Sequence, residues 1–99
     1  MTLKFEWNKT KDAINKRKHG ISFNEASTVF YDENALLFDD PEHSKSEDRF
    51  LIIGMSIKMH ICIVSHCYRK NDQIIRIISA RKATKKEVNI YNEKRRQAL

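Results

Sequence analysis

The chain has 99 residues, of which 40% are hydrophobic and 32% are charged, and its formal net charge is +6. This length fits one globular domain and leaves no room for a second core, so we expect residues 1–99 to form a single unit. With two Gly and one Pro, the composition excludes a flexible linker or a low-complexity segment.

No part of the sequence is suited to a membrane or to secretion. The most apolar region, 51–64, is interrupted by Lys58 and His60 and is too short to span a bilayer. The first residues lack the apolar run of a secretory signal. Cys62 and Cys67 lie five apart in one predicted strand, so their side chains point to opposite faces and cannot easily form a disulfide. We therefore expect a cytoplasmic protein with reduced thiols.

The positive charge is concentrated in the second half of the chain. Residues 1–50 carry eight Lys/Arg against ten Asp/Glu, whereas residues 51–99 carry eleven against three, a local balance of +8. A strongly basic half suggests a polyanionic partner, most commonly nucleic acid. A solvated basic face that keeps the protein soluble is the alternative, and charge alone does not decide between the two.

The first third of the sequence predicts one strand and two helices. Residues 3–7 alternate between apolar and polar side chains, which is the period of a half-buried strand. Asn8 can cap a helix that runs to about His19, and Gly20 is well placed to end it. An S-x-x-E capping box then predicts a second short helix over 22–30.

From residue 33 onward the pattern changes to strands. The hairpin spacing of the last three apolar segments favours antiparallel pairing, and 39–48 has the composition of a polar loop. A second capping box, T-x-x-E from Thr84 to Glu87, opens a C-terminal helix that runs to about Arg96. The predicted strands are 35–38, 49–56, 60–68 and 74–80.

These elements follow the order β-α-α-β-β-β-β-α. We expect an α+β fold in which an antiparallel sheet of four or five strands carries two N-terminal helices and one C-terminal helix. The first two helices also suggest a DNA-binding helix-turn-helix. The second helix, however, carries no Lys or Arg and has Glu25 in its first turn, which fits a phosphate-lined groove poorly.

Several blocks of the sequence resemble the BrnT family of bacterial type II toxins. They are FEW at 5–7 before a lysine-rich helix, KHGISF at 18–23 with Ala26 and Phe30, the strand 49–54, and RIISARKATKKE at 76–87 followed by Tyr91. These blocks cover nearly the whole chain in the family's order. The combination of K-H-G-I with I-R-I-I-S-A-R-K-A-T is the most distinctive part of the resemblance.

The resemblance implies a RelE-like fold and RNA cleavage that inhibits translation and growth. It also implies a cognate BrnA-like antitoxin that neutralises the toxin and represses the shared promoter, so that operator DNA is contacted only through the antitoxin. The RNA substrate is either free or held on the ribosome. A nucleic-acid-binding or protein-interaction module without catalysis is the alternative.

Metal-free RNA cleavage needs a proton acceptor near the 2′-hydroxyl, a proton donor near the departing 5′-oxygen and cations for the charged phosphorane. Arg76 interrupts an apolar strand, so it is either a phosphate clamp or half of a cross-strand salt bridge to a residue such as Glu47 or Asp48. Arg81 lies at the junction of the last strand and helix, where exposed N–H groups favour an anion. Three basic residues after it are predicted to bind RNA, namely Lys82, Lys85 and Lys86.

His66 and Arg69 lie at the end of the third of the four later strands. His66 shares a face with apolar residues, which fits a satisfied, half-buried histidine. If it instead faces Arg76 across the sheet, its ordinary pKa suits acid–base work. Arg69 is either a second phosphate contact or a turn residue.

The remaining candidates lie on the first and last helices. Lys18 and His19 are predicted to bind RNA, although basic residues are also ordinary at a helix C-terminus. Glu87 and Tyr91 are candidates for proton transfer or base stacking, although Tyr91 also fits a core position with its hydroxyl at the edge. No P-loop, HExxH or nucleophile-elbow motif is present, the two Cys lack CxxC spacing, and we expect neither a metal ion nor a cofactor.

Overall fold

The computed structural model describes residues 2–40, 42 and 48–97, and its elements follow the predicted order. Most of the predicted loop 39–48 lies outside the described residues. In chain order the elements are β1 (Lys4–Glu6), α1 (Lys9–His19), α2 (Phe23–Thr28), a 3₁₀ turn (Val29–Tyr31), β2 (Leu36–Asp39), β3 (Phe50–Met55), β4 (Ile61–Arg69), β5 (Ile74–Lys82) and α3 (Lys85–Gln97).

Short-range sequence signals set the boundaries of the first two helices. The side chain of Asn8 accepts a hydrogen bond from the Lys11 N–H at 3.0 Å, and Gly20, at φ +73°, ends α1 in the left-handed conformation that glycine tolerates. Ser22 Oγ accepts a hydrogen bond from the Glu25 N–H at 3.0 Å. The Glu25 carboxylate bonds to the β3–β4 hairpin instead of returning to Ser22, so only half of the predicted capping box forms.

The five strands form one sheet in the order β1-β5-β4-β3-β2. The pairs β2–β3, β3–β4 and β4–β5 are antiparallel, as predicted. The edge strand β1, however, lies parallel to β5, with Glu6 opposite Arg76. The prediction of a purely antiparallel sheet is therefore wrong at this edge, because β1 pairs with the strand farthest from it in the sequence. The likeness to RelE stays a prediction.

The sheet is covered on two faces by different helices. On one face, called here the α2 face, α2 and the turn that precedes it pack against the sheet through Ile21, Phe23, Ala26, Val29, Ile52, Cys62, Val64, Ile77 and Ala80. On the other, the α3 face, Tyr91 packs with Ile53 and Ile63. Because α3 contacts mainly β3, the β4–β5 part of the α3 face stays uncovered by that helix in the described structure, although Ile63, Ser65 and Cys67 on it are buried.

Asn15 of α1 joins that helix to the part of β5 that extends beyond β1. Its side-chain amide donates to the carbonyls of Ala80 at 2.8 Å and Ile21 at 2.9 Å, and its Oδ1 accepts from the Ala80 N–H at 3.1 Å. A side chain thus satisfies the backbone of an exposed strand edge. The same contact brings the last turn of α1, with His19, close to β5.

The structure also bears on the predictions about the two cysteines and about membrane-spanning segments. Cys62 and Cys67 are both buried and free, and their side chains point to opposite faces of the sheet, as predicted. No helix within residues 2–40, 42 and 48–97 is long and apolar enough to cross a membrane.

Candidate functional site

An irregularity in β5 turns two arginines to the same face of the sheet. Ser79 pairs with Ser65 of β4 but Ile77 pairs with His66, so Ile78 is one extra residue in β5. Arg76 and Arg81 are five residues apart and would point to opposite faces of a regular strand. With the extra residue, Ile77 and Ala80 both face the α2 core, and both arginines lie on the α3 face.

Arg76 pairs with a carboxylate from the neighbouring parallel strand. Its Nη1 donates to Glu6 Oε2 at 2.7 Å, and Arg69 approaches the same oxygen at 3.9 Å. A cross-strand salt bridge was one of the two roles predicted for Arg76. Its partner is Glu6 of β1 rather than Asp48, and Glu47 lies outside the described residues. The side chain of Arg76 remains 30% exposed, which leaves guanidinium surface open to a phosphate.

Arg81 holds the Glu87 carboxylate at the start of α3 by two hydrogen bonds, of 2.8 and 3.0 Å. Glu87 also accepts the Thr84 N–H at 2.8 Å and donates its own N–H to Thr84 Oγ1 at 3.3 Å, so the second predicted capping box forms completely. The hydrogen bonds from Arg81 lower the pKa of Glu87 to about 2. The predicted anion position at this junction is therefore filled by the chain's own carboxylate.

A small crevice of about 100 Å³ opens beside Arg81 on the α3 face. His19 reaches it from the end of α1, and its ring makes no hydrogen bond to any residue that the structure describes. The hydroxyls of Ser65 and Ser79, which face each other across β4 and β5, also line the crevice. A histidine, an arginine and two hydroxyls therefore converge on one uncovered part of the sheet.

Two predicted catalytic residues lie apart from this crevice. His66 is 0% exposed on the α2 face, where it packs edge-on against Phe30 and bonds to Val64 O and the Tyr68 hydroxyl at 3.2 and 3.3 Å. Burial lowers the pKa of His66, which keeps the ring neutral. These contacts fit the predicted alternative of a satisfied core histidine, and it does not face Arg76, whose β4 partner is Cys67.

Tyr91 is the second of these residues. It is 1% exposed, and its hydroxyl donates to Asp32 Oδ2 at 2.6 Å. Burial and this hydrogen bond raise the pKa of Tyr91 to about 12, which disfavours proton release at neutral pH. The contacts fit a residue that fastens α3 to the sheet.

The predicted RNA-binding lysines are exposed but do not all share one surface. Lys18 precedes His19 on α1, while Lys82 pairs with Cys62 and so points to the α2 face, away from Arg81. Lys85 opens α3 on its exposed side. Lys86 lines a groove between α3 and β2 rather than the crevice.

Sequence reasoning missed a polar cluster beneath the β3–β4 hairpin. The buried Glu25 carboxylate accepts hydrogen bonds from Ser56 Oγ at 2.6 Å and from His60 Nδ1 at 2.8 Å. These hydrogen bonds outweigh burial and lower the pKa of Glu25, while burial and the nearby carboxylate raise the pKa of Cys62 to about 11. The capping-box position of Glu25 concealed this role, and no local pattern points to it. In the part of the chain that is described, no three His, Cys, Asp or Glu side chains are grouped to hold a metal ion.

Comparison with known proteins adds the family. A family model described as the ribonuclease toxin BrnT of a type II toxin–antitoxin system matches residues 7–87. The chain belongs to the BrnT family. The crystal structure of the Brucella abortus ribonuclease toxin BrnT matches with a TM-score of 0.64 and 26% identity, covering 85% of this chain and 100% of that one. A search of curated proteins found no match.

The predicted family is thereby confirmed. Membership in the BrnT family supports a role as a ribonuclease toxin, with RNA as the substrate and an antitoxin as the partner. The roles of individual residues stay predictions.

Proposed function

We propose that this BrnT-family chain is an endoribonuclease that cleaves RNA by metal-independent acid–base chemistry on the uncovered part of its α3 face. The observation that carries the proposal is the extra residue at Ile78, which turns Arg76 and Arg81 to the same face. Bulges recur next to active sites because they redirect a side chain without interrupting the sheet. Two arginines on one face, opposite Cys67 and Ile63 of β4, can bind separate phosphates of one RNA strand.

His19 is the proposed proton carrier. Arginine does not readily exchange protons, and the low pKa of Glu87 makes that carboxylate a weak base. His19 lines the crevice beside Arg81 and has a ring free to take a proton from the 2′-hydroxyl or to give one to the departing oxygen. The hydroxyls of Ser65 and Ser79 can donate hydrogen bonds to the phosphate oxygens.

The remaining predicted site residues have supporting roles in this proposal. Arg69, beside the Arg76–Glu6 pair, extends the cationic face, and the exposed lysines guide RNA through long-range attraction. The structural contacts of His66 and Tyr91 favour roles in stability. The lysines assigned to RNA guidance are Lys18, Lys82, Lys85 and Lys86.

In the cell, we propose that cleavage inhibits translation and growth in the cytoplasm until a BrnA-like antitoxin covers the arginine face. Operator DNA is then contacted through the antitoxin. The geometry of α2 supports this division, because the helix has no Lys or Arg and packs Phe23, Glu25 and Ala26 into the interior. We also propose that residues 1–99 act as one domain.

The test is incubation of the purified chain, freed of antitoxin, with a defined RNA in EDTA. Three proteins are compared: wild type, Arg76→Ala/Arg81→Ala, and a control, Lys11→Ala/Arg96→Ala, which loses the same charge at exposed positions. We expect the wild type and the control to cleave RNA and the arginine double variant to lose activity by at least about 100-fold, the scale of removing transition-state donors. Equal cleavage by all three would refute the site.

His19→Gln tests the proton carrier separately. The variant should keep its RNA affinity, because Gln preserves polarity at the crevice, but lose cleavage by about 100-fold or more. The comparison variant is His60→Gln, which changes a histidine on the α2 face. A His19→Gln variant that cleaves RNA at the wild-type rate would remove His19 from the mechanism.

A further inference from the structure

The tip of the β3–β4 hairpin, residues 56–60, exposes two large apolar side chains. Ile57 is 77% exposed and Met59 is 76% exposed, more than any other large hydrophobic side chain in the described parts of the chain. A single exposed apolar residue is ordinary, but two at one tip, next to a pocket, are typical of an interaction site.

The backbone of this tip is held in place by hydrogen bonds. The Ser56 N–H donates to His60 O at 2.8 Å, the Met59 N–H donates to Ser56 O at 2.9 Å, and the Ile57 N–H donates to Thr28 Oγ1 at 2.9 Å. The buried carboxylate described above anchors both ends of the tip from beneath. Because the apolar side chains are presented on a fixed backbone, binding a partner costs little ordering of this segment.

A pocket of about 510 Å³ opens beside Ile57, between the second half of α3 and residues 31–34. Tyr31, which is 57% exposed, and Met55 supply apolar surface to the pocket. This volume lies within the range of pockets that bind compact ligands, and it is large enough for one or two protein side chains. The pocket and the tip form one surface, called here the tip pocket.

The charges around the tip pocket favour an acidic partner. Asp32 lies in the pocket, but its carboxylate accepts hydrogen bonds from the Tyr91 hydroxyl at 2.6 Å, the Met55 N–H at 2.7 Å and the Asn34 N–H at 2.9 Å. These hydrogen bonds and the charge of Arg95 outweigh burial and lower the pKa of Asp32, so this carboxylate stays charged. Arg95 lines the pocket, where its charge acts on Asp32 without a close ion pair to a described residue, and Lys58 adds a further exposed positive charge between the two apolar side chains of the tip.

Helix α3 connects the tip pocket to the proposed cleavage site. Glu87, which holds Arg81, and Arg95, which lines the pocket, are eight residues apart, or about 12 Å along the helix axis. About four residues of extended chain cover this distance. A segment anchored in the pocket can therefore reach the arginine face.

We propose that the tip pocket anchors the cognate antitoxin, through a segment that places an apolar side chain in the pocket and carboxylates against Lys58 and Arg95. The inference rests on the proposed function, since it assumes that the toxin has a neutralising partner. It places the anchor outside the cleavage site, so that binding and catalysis can be separated by mutation. Apolar contact at the centre of the surface supplies most of the affinity, and the surrounding charges supply specificity.

The test measures antitoxin affinity and RNA cleavage on the same purified variants. Ile57→Asp/Met59→Asp removes the apolar tip, and both positions are too exposed for the change to unfold the chain; Met59 has φ +65°, which Asp tolerates well. Arg95→Glu reverses the charge at the pocket rim. The matched controls are Ile14→Asp on α1 and Ile90→Asp on the other side of α3, which are 48% and 43% exposed.

We expect the double variant to bind the antitoxin at least about 100-fold more weakly and Arg95→Glu about tenfold more weakly, with cleavage in EDTA unchanged. The controls should bind like the wild type. Binding of the double variant within threefold of the wild type overturns the proposal, as does a tip that instead mediates self-association in ultracentrifugation or contacts RNA. A wild type that neither cleaves free RNA nor arrests growth when expressed refutes the proposed function, while the antitoxin titration still reports on the anchor.

Discussion

Glu87 binds Arg81 through two hydrogen bonds, of 2.8 and 3.0 Å, and thereby occupies the N-terminus of α3 with a carboxylate. The helix start and the guanidinium would both attract a phosphate if this carboxylate were absent. The free protein thus carries an internal anion next to the proposed cleavage site. An incoming RNA must compete with it for Arg81.

Replacing this anion should strengthen RNA binding. In Glu87→Gln the amide can still cap α3, but it no longer neutralises Arg81, so the affinity for RNA should rise roughly threefold to tenfold, the effect expected of one partly exposed charge. Fluorescence anisotropy with an RNA methylated at its 2′-oxygens measures binding without cleavage. Glu93→Gln is the control, since Glu93 pairs with Arg96 at the exposed end of the same helix. Equal affinities of the two variants would contradict the competition.

The same pair should make stability depend on pH in the acid range. The pKa of Glu87 is lowered from 4.5 to about 2 by Arg81, so the charged carboxylate favours the folded state. This contribution is fully present above pH 4.5 and is lost as the pH falls toward 2. Urea unfolding should show Glu87→Gln less stable than the wild type by about 1 kcal/mol at pH 7, with the difference vanishing near pH 2. A difference that is constant across this range would contradict the assignment.

Tyr91→Phe should lower stability without abolishing cleavage. The change removes the 2.6 Å hydrogen bond to Asp32, which keeps two backbone donors, so the free energy of unfolding should fall by about 1–2 kcal/mol. Because the pKa of Tyr91 is raised to about 12, the wild type should also lose more stability than the variant as the pH rises from 10 to 12. A fully folded variant without ribonuclease activity would support the other predicted role of Tyr91, in proton transfer.

Asn15→Ala should be the more damaging of two asparagine substitutions in the N-terminal helices. It leaves the N–H and carbonyl of Ala80 and the carbonyl of Ile21 without their side-chain partner, at a cost of about 2–4 kcal/mol. Asn24→Ala, at an exposed position of α2, should change stability by less than about 0.5 kcal/mol. Thermal unfolding compares the two, and similar losses would show that the Asn15 bridge contributes little.

Local sequence signals predicted the elements of the fold but not every strand pairing. The caps at Asn8, Gly20 and Thr84 act within one helical turn, so these residues indicated the helix ends correctly from the sequence. The parallel pairing of β1 with β5 joins strands that are far apart in the sequence, so no short-range pattern predicted it. Glu25 shows the same limit, because a tertiary contact with His60 replaced its expected return to Ser22.

The sequence predicted which residues belong to the candidate site better than it predicted how they are arranged. Arg76 stood out because a charge in an apolar strand needs a solvated face, and Arg81 because it precedes a helix. That the two share a face depends on the extra residue at Ile78, which the strict two-residue period of a strand does not predict. For His66, the two-residue period of a strand correctly predicted that its side chain shares a face with core residues. It did not predict that the side chain is completely buried.

The pairing of β1 with β5 also means that the sheet can be completed only late in the synthesis of the chain. Lys4–Glu6 leave the ribosome first, but their neighbours Ile74–Arg76 are made after most other elements. A product that stops before residue 74 lacks both proposed phosphate-binding arginines and any strand to receive its N-terminus. We therefore expect fragments that stop before residue 74 to lack the proposed activity, which requires a nearly complete chain.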